Sequence, residues 1–172
     1  MNQISDMRWS VREATEQDVP WLVAGCCNLA RETEGVELDP MTVERGVTGA
    51  LRNGYATYLL AVQASDPSRC VGQLMITREW SDWRNGWFWW IQSVWVAPEA
   101  RRCGVYSTLH AAVERRARDR GDVCGIRLYV EPENKPAIAT YRTLGMKLAA
   151  YHMMECDFSG IRGPHGTEAH LD

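Results

Sequence analysis

The sequence predicts a single α/β domain, of the α+β kind, spanning residues 1–158, with a flexible tail over 159–172. Two observations carry this. Strand-like and helix-like stretches alternate at short intervals, with no internal repeat, low-complexity block or linker. The chain has 172 residues, which suits one full core.

The elements follow in order. The alternating stretch Met7–Glu13 reads as a first strand. Thr15 and Asp18 open a helix that tolerates Pro20 near its start and runs to about Ala30. Asp39-Pro40 caps a second helix, Val43, Val47 and Leu51 give it one apolar face, and Asn53-Gly54 ends it. Tyr55–Gln63 and Cys70–Glu79 are strands joined by the turn-rich A-S-D-P-S-R. Asn85-Gly86 is a strong hairpin signal, so Trp87–Val96 pairs back on Cys70–Glu79 until Pro98 stops it. Leu109, Val113 and Ala117 mark a helix over Gly104–Arg120, ended by Gly121. Gly125–Glu131 is a further strand. Asn134 caps a short helix reaching about Leu144, and Leu148–Phe158 is expected as a last strand.

Composition narrows the function. Apolar residues make up 45% and charged residues 24%, an ordinary balance for a soluble globular protein. No run is long enough to span a membrane, and the start lacks a signal-peptide core, so the expected compartment is the cytoplasm. The net charge of −3 argues against nucleic acid as a partner. The basic stretch 114–120 interleaves acids and reads as a solvated helix face. The six cysteines make no C-x-x-C and lie at no zinc-like spacing to the histidines, so reduced thiols and no metal site are expected.

The stretch S-V-W-V-A-P-E-A-R-R-C-G-V-Y-S at 93–107 carries the chemistry. A strand ends at Val96, a short loop follows, and a helix opens at Gly104. The amides at a helix N-terminus form an anion site suited to pyrophosphate. Gly104 permits close backbone approach, and Arg101 and Arg102 add charge. The loop lacks the G-K-[ST] of a P-loop and the three glycines of a dinucleotide fold.

Arg101-x-x-Gly104-x-Tyr106 resembles the acetyl-coenzyme A loop of the GNAT acyltransferase superfamily, [QR]-x-x-G-x-[GA]. The segment N-K-P-A-I-A-T-Y-R-T-L-G-M at 134–146 resembles that family's N-x-x-A-x-x-x-Y-x-x-x-G-[FM]. The two motifs come in the family's order across the expected helix and strand. Tyr106 departs from the pattern, standing where the family usually has Gly or Ala.

The resemblance implies the GNAT fold, a mixed, mostly antiparallel central sheet flanked by about four helices. It implies transfer of an acetyl group from acetyl-coenzyme A to a primary amine of a small molecule by direct attack. The amides of Arg102, Cys103, Gly104, Val105, Tyr106 and Ser107 would take the phosphates, with Arg101 and Asn134 beside the cofactor. The pantetheine arm would pair as an added strand along Val94, Trp95 and Val96. Tyr141 would be the general acid, since a tyrosine near 10 can protonate a thiolate whose thiol titrates near 8.5.

The general base has several candidates. Diamine acetyltransferases, which the fourth strand resembles, carry acids where Gln92 and Ser93 stand here. Glu79 and Asp82 are alternatives. Glu32, Glu34, Glu37 and Asp39 border the region where the family places its acceptor, and Glu34 and Glu37 are expected to attract a cationic amine. Alternative functions are protein lysine or N-terminal acetylation, or a non-catalytic acyl-coenzyme A-binding module. The family often forms homodimers, and the aromatic surplus fits such an interface.

Six of the eight tryptophans lie between Trp80 and Trp95. Strict alternation groups Trp87, Trp89, Ile91, Ser93 and Trp95 on one face, and Phe88, Trp90, Gln92, Val94 and Val96 on the other. A bulge, common in this family here, would change that parity. Trp80 and Trp83 are the residues expected to line an acceptor pocket or a dimer contact.

Overall fold

The computed structural model describes residues 8–156 and 158. The elements are β1 (Trp9–Glu13), α1 (Val19–Glu34), α2 (Pro40–Asn53), β2 (Thr57–Gln63), β3 (Asp66–Ser81), β4 (Gly86–Val96), α3 (Val105–Arg120), β5 (Val123–Leu128) and α4 (Lys135–Thr143). The strands form one sheet in chain order. The first four pair antiparallel, and β5 joins β4 in parallel because α3 carries the chain across.

Both faces of the sheet are covered. Leu109, Val113 and Ala117 of α3 pack with Leu59, Leu74, Ile76, Trp89 and Ile91. On the opposite face Leu22 of α1 and Val47 of α2 pack with Tyr58, Leu60 and Val62. The side chains of β2 thus alternate between two apolar layers, which is why the strand reads as a continuous apolar run.

One buried polar side chain fastens α1. Gln73 of β3 is fully buried, and its amide nitrogen donates to the Leu22 carbonyl at 3.3 Å and to Cys26 Sγ at 3.6 Å. A Cβ on Gly25 would lie 2.3–2.8 Å from the Gln73 side-chain amide, so glycine is what lets helix and strand approach.

A β-bulge breaks the regularity of β4. Gln73 faces Trp95 and Met75 faces Gln92, so one residue of β3 opposes two of β4. Ser93 takes a φ of 50° there. Trp87, Val94 and Val96 all pack toward α3, with Trp89 and Ile91. Trp95 turns the other way and meets Trp21 of α1, ring centroids 5.6 Å apart. The strict alternation of Trp95 with Trp89 and Ile91 is therefore wrong, because the bulge inserts a residue between them.

Other boundaries also differ. Helix α1 runs past Ala30 to Glu34, ending where Gly35 adopts a φ of 64°. Strand β3 begins at Asp66, which shortens the predicted six-residue turn. The strand expected over Leu148–Phe158 is absent: residues 148–156 and 158 have no regular structure. Leu148, Tyr151, Met153, Met154 and Phe158 are exposed there, so no burial offsets the entropy of ordering them. Met7 and the tail at 159–172 lie outside the described residues.

An ion pair ties β1 to the entry of α1. Arg12 donates to both Asp18 oxygens, at 2.8 and 2.7 Å. The bonded guanidinium holds the Asp18 carboxyl at about 2, below its usual 3.8. Because the folded value is depressed, the stabilisation is present above the unfolded value and is lost as pH falls through the folded one. Asp18→Asn should lower unfolding free energy in urea by roughly 1–2 kcal/mol at pH 7. That difference should shrink as the pH falls from about 4 toward 2; a pH-independent difference would contradict the ion-pair account.

Candidate active site

The site begins where β4 leaves β5. Their pairing ends at Ile91 and Leu128, yet β4 continues to Val96. Gln92 to Val96 therefore keep an edge without a β5 partner, in the stretch that contains the bulge. Val94, Trp95 and Val96 lie along this open edge.

The loop after β4 is built to expose amides. A 3₁₀ turn spans Pro98–Ala100, and Arg102 and Gly104 take φ values of 59° and 78°. Nothing stands within 4 Å of a Cβ placed on Gly104, so glycine serves the backbone conformation there rather than a packing need. Among the described residues, no backbone carbonyl accepts from the amides of Arg102, Cys103, Gly104, Val105, Tyr106 or Ser107. These unpaired donors sit at the positive end of α3. Trp9 of β1, distant in sequence, holds the loop: its indole N–H donates to the Cys103 carbonyl at 2.8 Å. Sequence patterning gave no signal for this residue, because its partner lies 94 positions away.

The two loop arginines differ. Arg102 is exposed, with no side-chain partner among the described residues. Arg101 is engaged within the protein: its Nε donates to the Val96 carbonyl at 2.9 Å, and a terminal nitrogen donates to Glu32 at 2.6 Å. Glu32 also accepts from the Trp95 indole at 3.5 Å. One carboxylate of α1 thus links the phosphate-type loop to the strand beyond the bulge.

Tyr106 leans along α3 rather than toward the loop amides. Its ring stands edge-on to that of Tyr141, centroids 5.5 Å apart, and 6.0 Å from that of His110. The Tyr106 hydroxyl and His110 Nε2 are buried without partners among the described residues. Burial pushes the Tyr106 phenol far above its usual range and pushes the His110 imidazole down, so both are neutral near pH 7. Tyr141 lies on α4, which Asn134 caps by accepting from the Ala137 amide at 3.2 Å. Burial raises the Tyr141 phenol above its ordinary value, so it too is protonated near pH 7.

The expected acceptor residues do not all converge. Gln92 lies beside the bulge and donates to Thr77 Oγ1 at 2.7 Å. Glu79 is paired with Arg127, both contacts at 3.0 Å, and accepts from the Trp90 indole at 2.5 Å. Glu37 is held by Arg31 at 2.6 and 3.0 Å, which offsets the charge expected to draw an amine. Glu34 is exposed at the end of α1, and Asp39 caps α2. Trp83 is 86% exposed in the hairpin turn before Gly86. Six strand residues, roughly 20 Å, separate that end from Gln92, so Trp83 does not line a pocket at the bulge.

The profile of the Acetyltransferase (GNAT) family matches residues 26–146. A solved structure of a possible acetyltransferase from Clostridium difficile is 39% identical, covers 87% of this chain and 97% of its own, and superposes with a TM-score of 0.80. The chain belongs to the GNAT acetyltransferase family, whose members use acetyl-coenzyme A as cosubstrate, and is by class an acetyl-coenzyme A-dependent N-acyltransferase. A predicted acetyltransferase with acetyl-coenzyme A from Clostridium acetobutylicum shares the fold at 17% identity, a TM-score of 0.69 and coverage of 86% and 96%. So does a ribosomal-protein-alanine N-acetyltransferase from Brucella melitensis, at 13% identity, a TM-score of 0.70 and coverage of 87% and 99%. No curated protein matches the chain. No helix among the described residues is long and apolar enough to cross a membrane.

Trp9→Phe keeps the ring but removes the hydrogen bond to Cys103. Calorimetry should show acetyl-coenzyme A affinity weakened about three- to tenfold, the equivalent of one hydrogen bond; an unchanged dissociation constant would mean that the loop does not depend on Trp9. Tyr106→Phe removes a buried, unpaired hydroxyl and should raise stability by about 1 kcal/mol in urea unfolding. A loss of stability would show that the hydroxyl has a partner.

Proposed function

We propose that the protein transfers the acetyl group of acetyl-coenzyme A to the primary amine of a small molecule by direct attack, with Tyr141 as general acid. The observation that carries this reading is the open edge of β4, which leads from the bulge at Ser93 straight into a loop of unpaired amides. The edge at Val94–Val96 would hold the pantetheine arm by backbone pairing. The amides of Arg102–Ser107 would hold the pyrophosphate, and Arg102 is the exposed cation beside them.

Acetyl-coenzyme A supplies a thioester carbonyl. As the amine nitrogen bonds to that carbon and the C–S bond breaks, Tyr141 gives its phenolic proton to the departing sulfur. The attacking amine is the free base, its ammonium proton already released to solvent. The second N–H proton, lost as the amide forms, also goes to solvent, and Tyr141 is reprotonated from solvent. Burial raises the Tyr141 phenol above its ordinary value, so Tyr141 enters the reaction carrying its proton. Trp21 and Trp95 crowd the bulge from the α1 side, which favours a small acceptor over a protein lysine or N-terminus. We read the chain as a cytoplasmic homodimer, with exposed Trp80 and Trp83 offering contact surface.

Tyr141→Phe should lower kcat at least about a hundredfold, the scale of a lost general acid, with the acetyl-coenzyme A dissociation constant unchanged. An unchanged kcat would sink the assignment.

A further inference from the structure

The face of β4 that leads up to the bulge carries a second organised group of side chains. Trp90 and Gln92 lie on the face turned away from α3, beside Thr77 of β3 and Arg127 of β5. The Trp90 and Tyr129 rings stack, centroids 4.5 Å apart and planes 28° apart. Tyr129, just past the end of β5, is 55% exposed and Trp90 is half-buried.

The polar atoms of this group answer one another. The Trp90 indole N–H and the Arg127 guanidinium both donate to Glu79. The Gln92 amide donates to Thr77. The Arg127 guanidinium lies over the Phe88 ring at 3.5 Å and the Trp90 ring at 5.6 Å. What remains for a visitor is ring surface. Glu79 and Arg127 cancel in charge, so Glu79 is not free to select a polycation.

We infer that the Trp90–Tyr129 pair receives the acceptor's side group, and that the acceptor is an arylalkylamine, a primary amine with an aromatic ring a few bonds from the nitrogen. The inference rests on the amine-acceptor reading above and names the substrate class within it. Position supports it. Trp90 and Gln92 are two residues apart on one face, roughly 7 Å, and Gln92 adjoins the bulged, open stretch of β4. An amine at the bulge can therefore lay a ring over Trp90 through a two- to four-bond linker. Chemistry supports it as well. A third ring joining a stacked pair gains beyond its buried area, and an alkyl chain of equal size does not.

The test compares kcat/KM for 2-phenylethylamine and n-hexylamine, two alkyl-type amines differing in the ring, using the full chain. The wild type should prefer the aryl amine by about tenfold. Trp90→Leu and, on the more exposed residue, Tyr129→Ala should each bring the ratio toward unity while acetyl-coenzyme A binding is kept. A wild-type ratio near unity, or a preference that survives both substitutions, overturns the inference. Turnover of hexylamine without aryl preference does so while leaving the amine-acceptor reading intact. No turnover of either amine by protein that binds acetyl-coenzyme A overturns both.

Discussion

The bulge at Ser93 is the constraint on which the rest of the site depends. One extra residue in β4 reverses the facing of everything after it. Val94 and Val96 then join the layer under α3, while Trp95 swings to α1 and meets Trp21 and Glu32. The same stretch of β4 has lost its β5 partner, so its backbone groups are open on that side. A regular strand would have put Trp95 into the α3 layer and left β4 free to keep pairing. The α1 side of the bulge is fixed by Gln73, whose buried amide donates to Leu22 and Cys26 and which only a glycine at position 25 can accommodate.

Much of the fold was legible in the sequence, for reasons that can be named. Helix α3 showed through Leu109, Val113 and Ala117, and all three are buried at that spacing. Asp39-Pro40 and Asn134 both cap helices, each through a local hydrogen bond that sequence motifs capture well. The β3–β4 hairpin followed from Asn85, which takes a φ of 45°. The misses were non-local. The grip of Trp9 on Cys103, the burial of Gln73 and the pairing of Glu32 with Arg101 join residues far apart in the chain. The expected last strand failed for the complementary reason: among the described residues nothing covers its large apolar side chains.

The loop shows how a motif can persist while its side chains are reassigned. Arg101 occupies the first position of the phosphate motif, yet its guanidinium is committed to Val96 and Glu32. Its contribution is to brace the loop against α1, and the proposed anion site is left to the unpaired backbone amides. Tyr106 replaces a small residue without blocking those amides, because its ring leaves the loop and packs against Tyr141. The departure from the family pattern thus touches the surroundings of Tyr141, the proposed general acid, more than the proposed phosphate site.

In the proposed complex the cosubstrate runs along the open edge of β4 and ends on the amides that open α3. The most direct measurement is backbone amide chemical shifts of the labelled protein during titration with acetyl-coenzyme A. The account predicts the largest changes at Val94–Val96 and Arg102–Ser107, with Trp9 responding through Cys103 and the outer residues of β2 unmoved. Saturable binding whose shifts fall elsewhere, with those two segments unchanged, would contradict it.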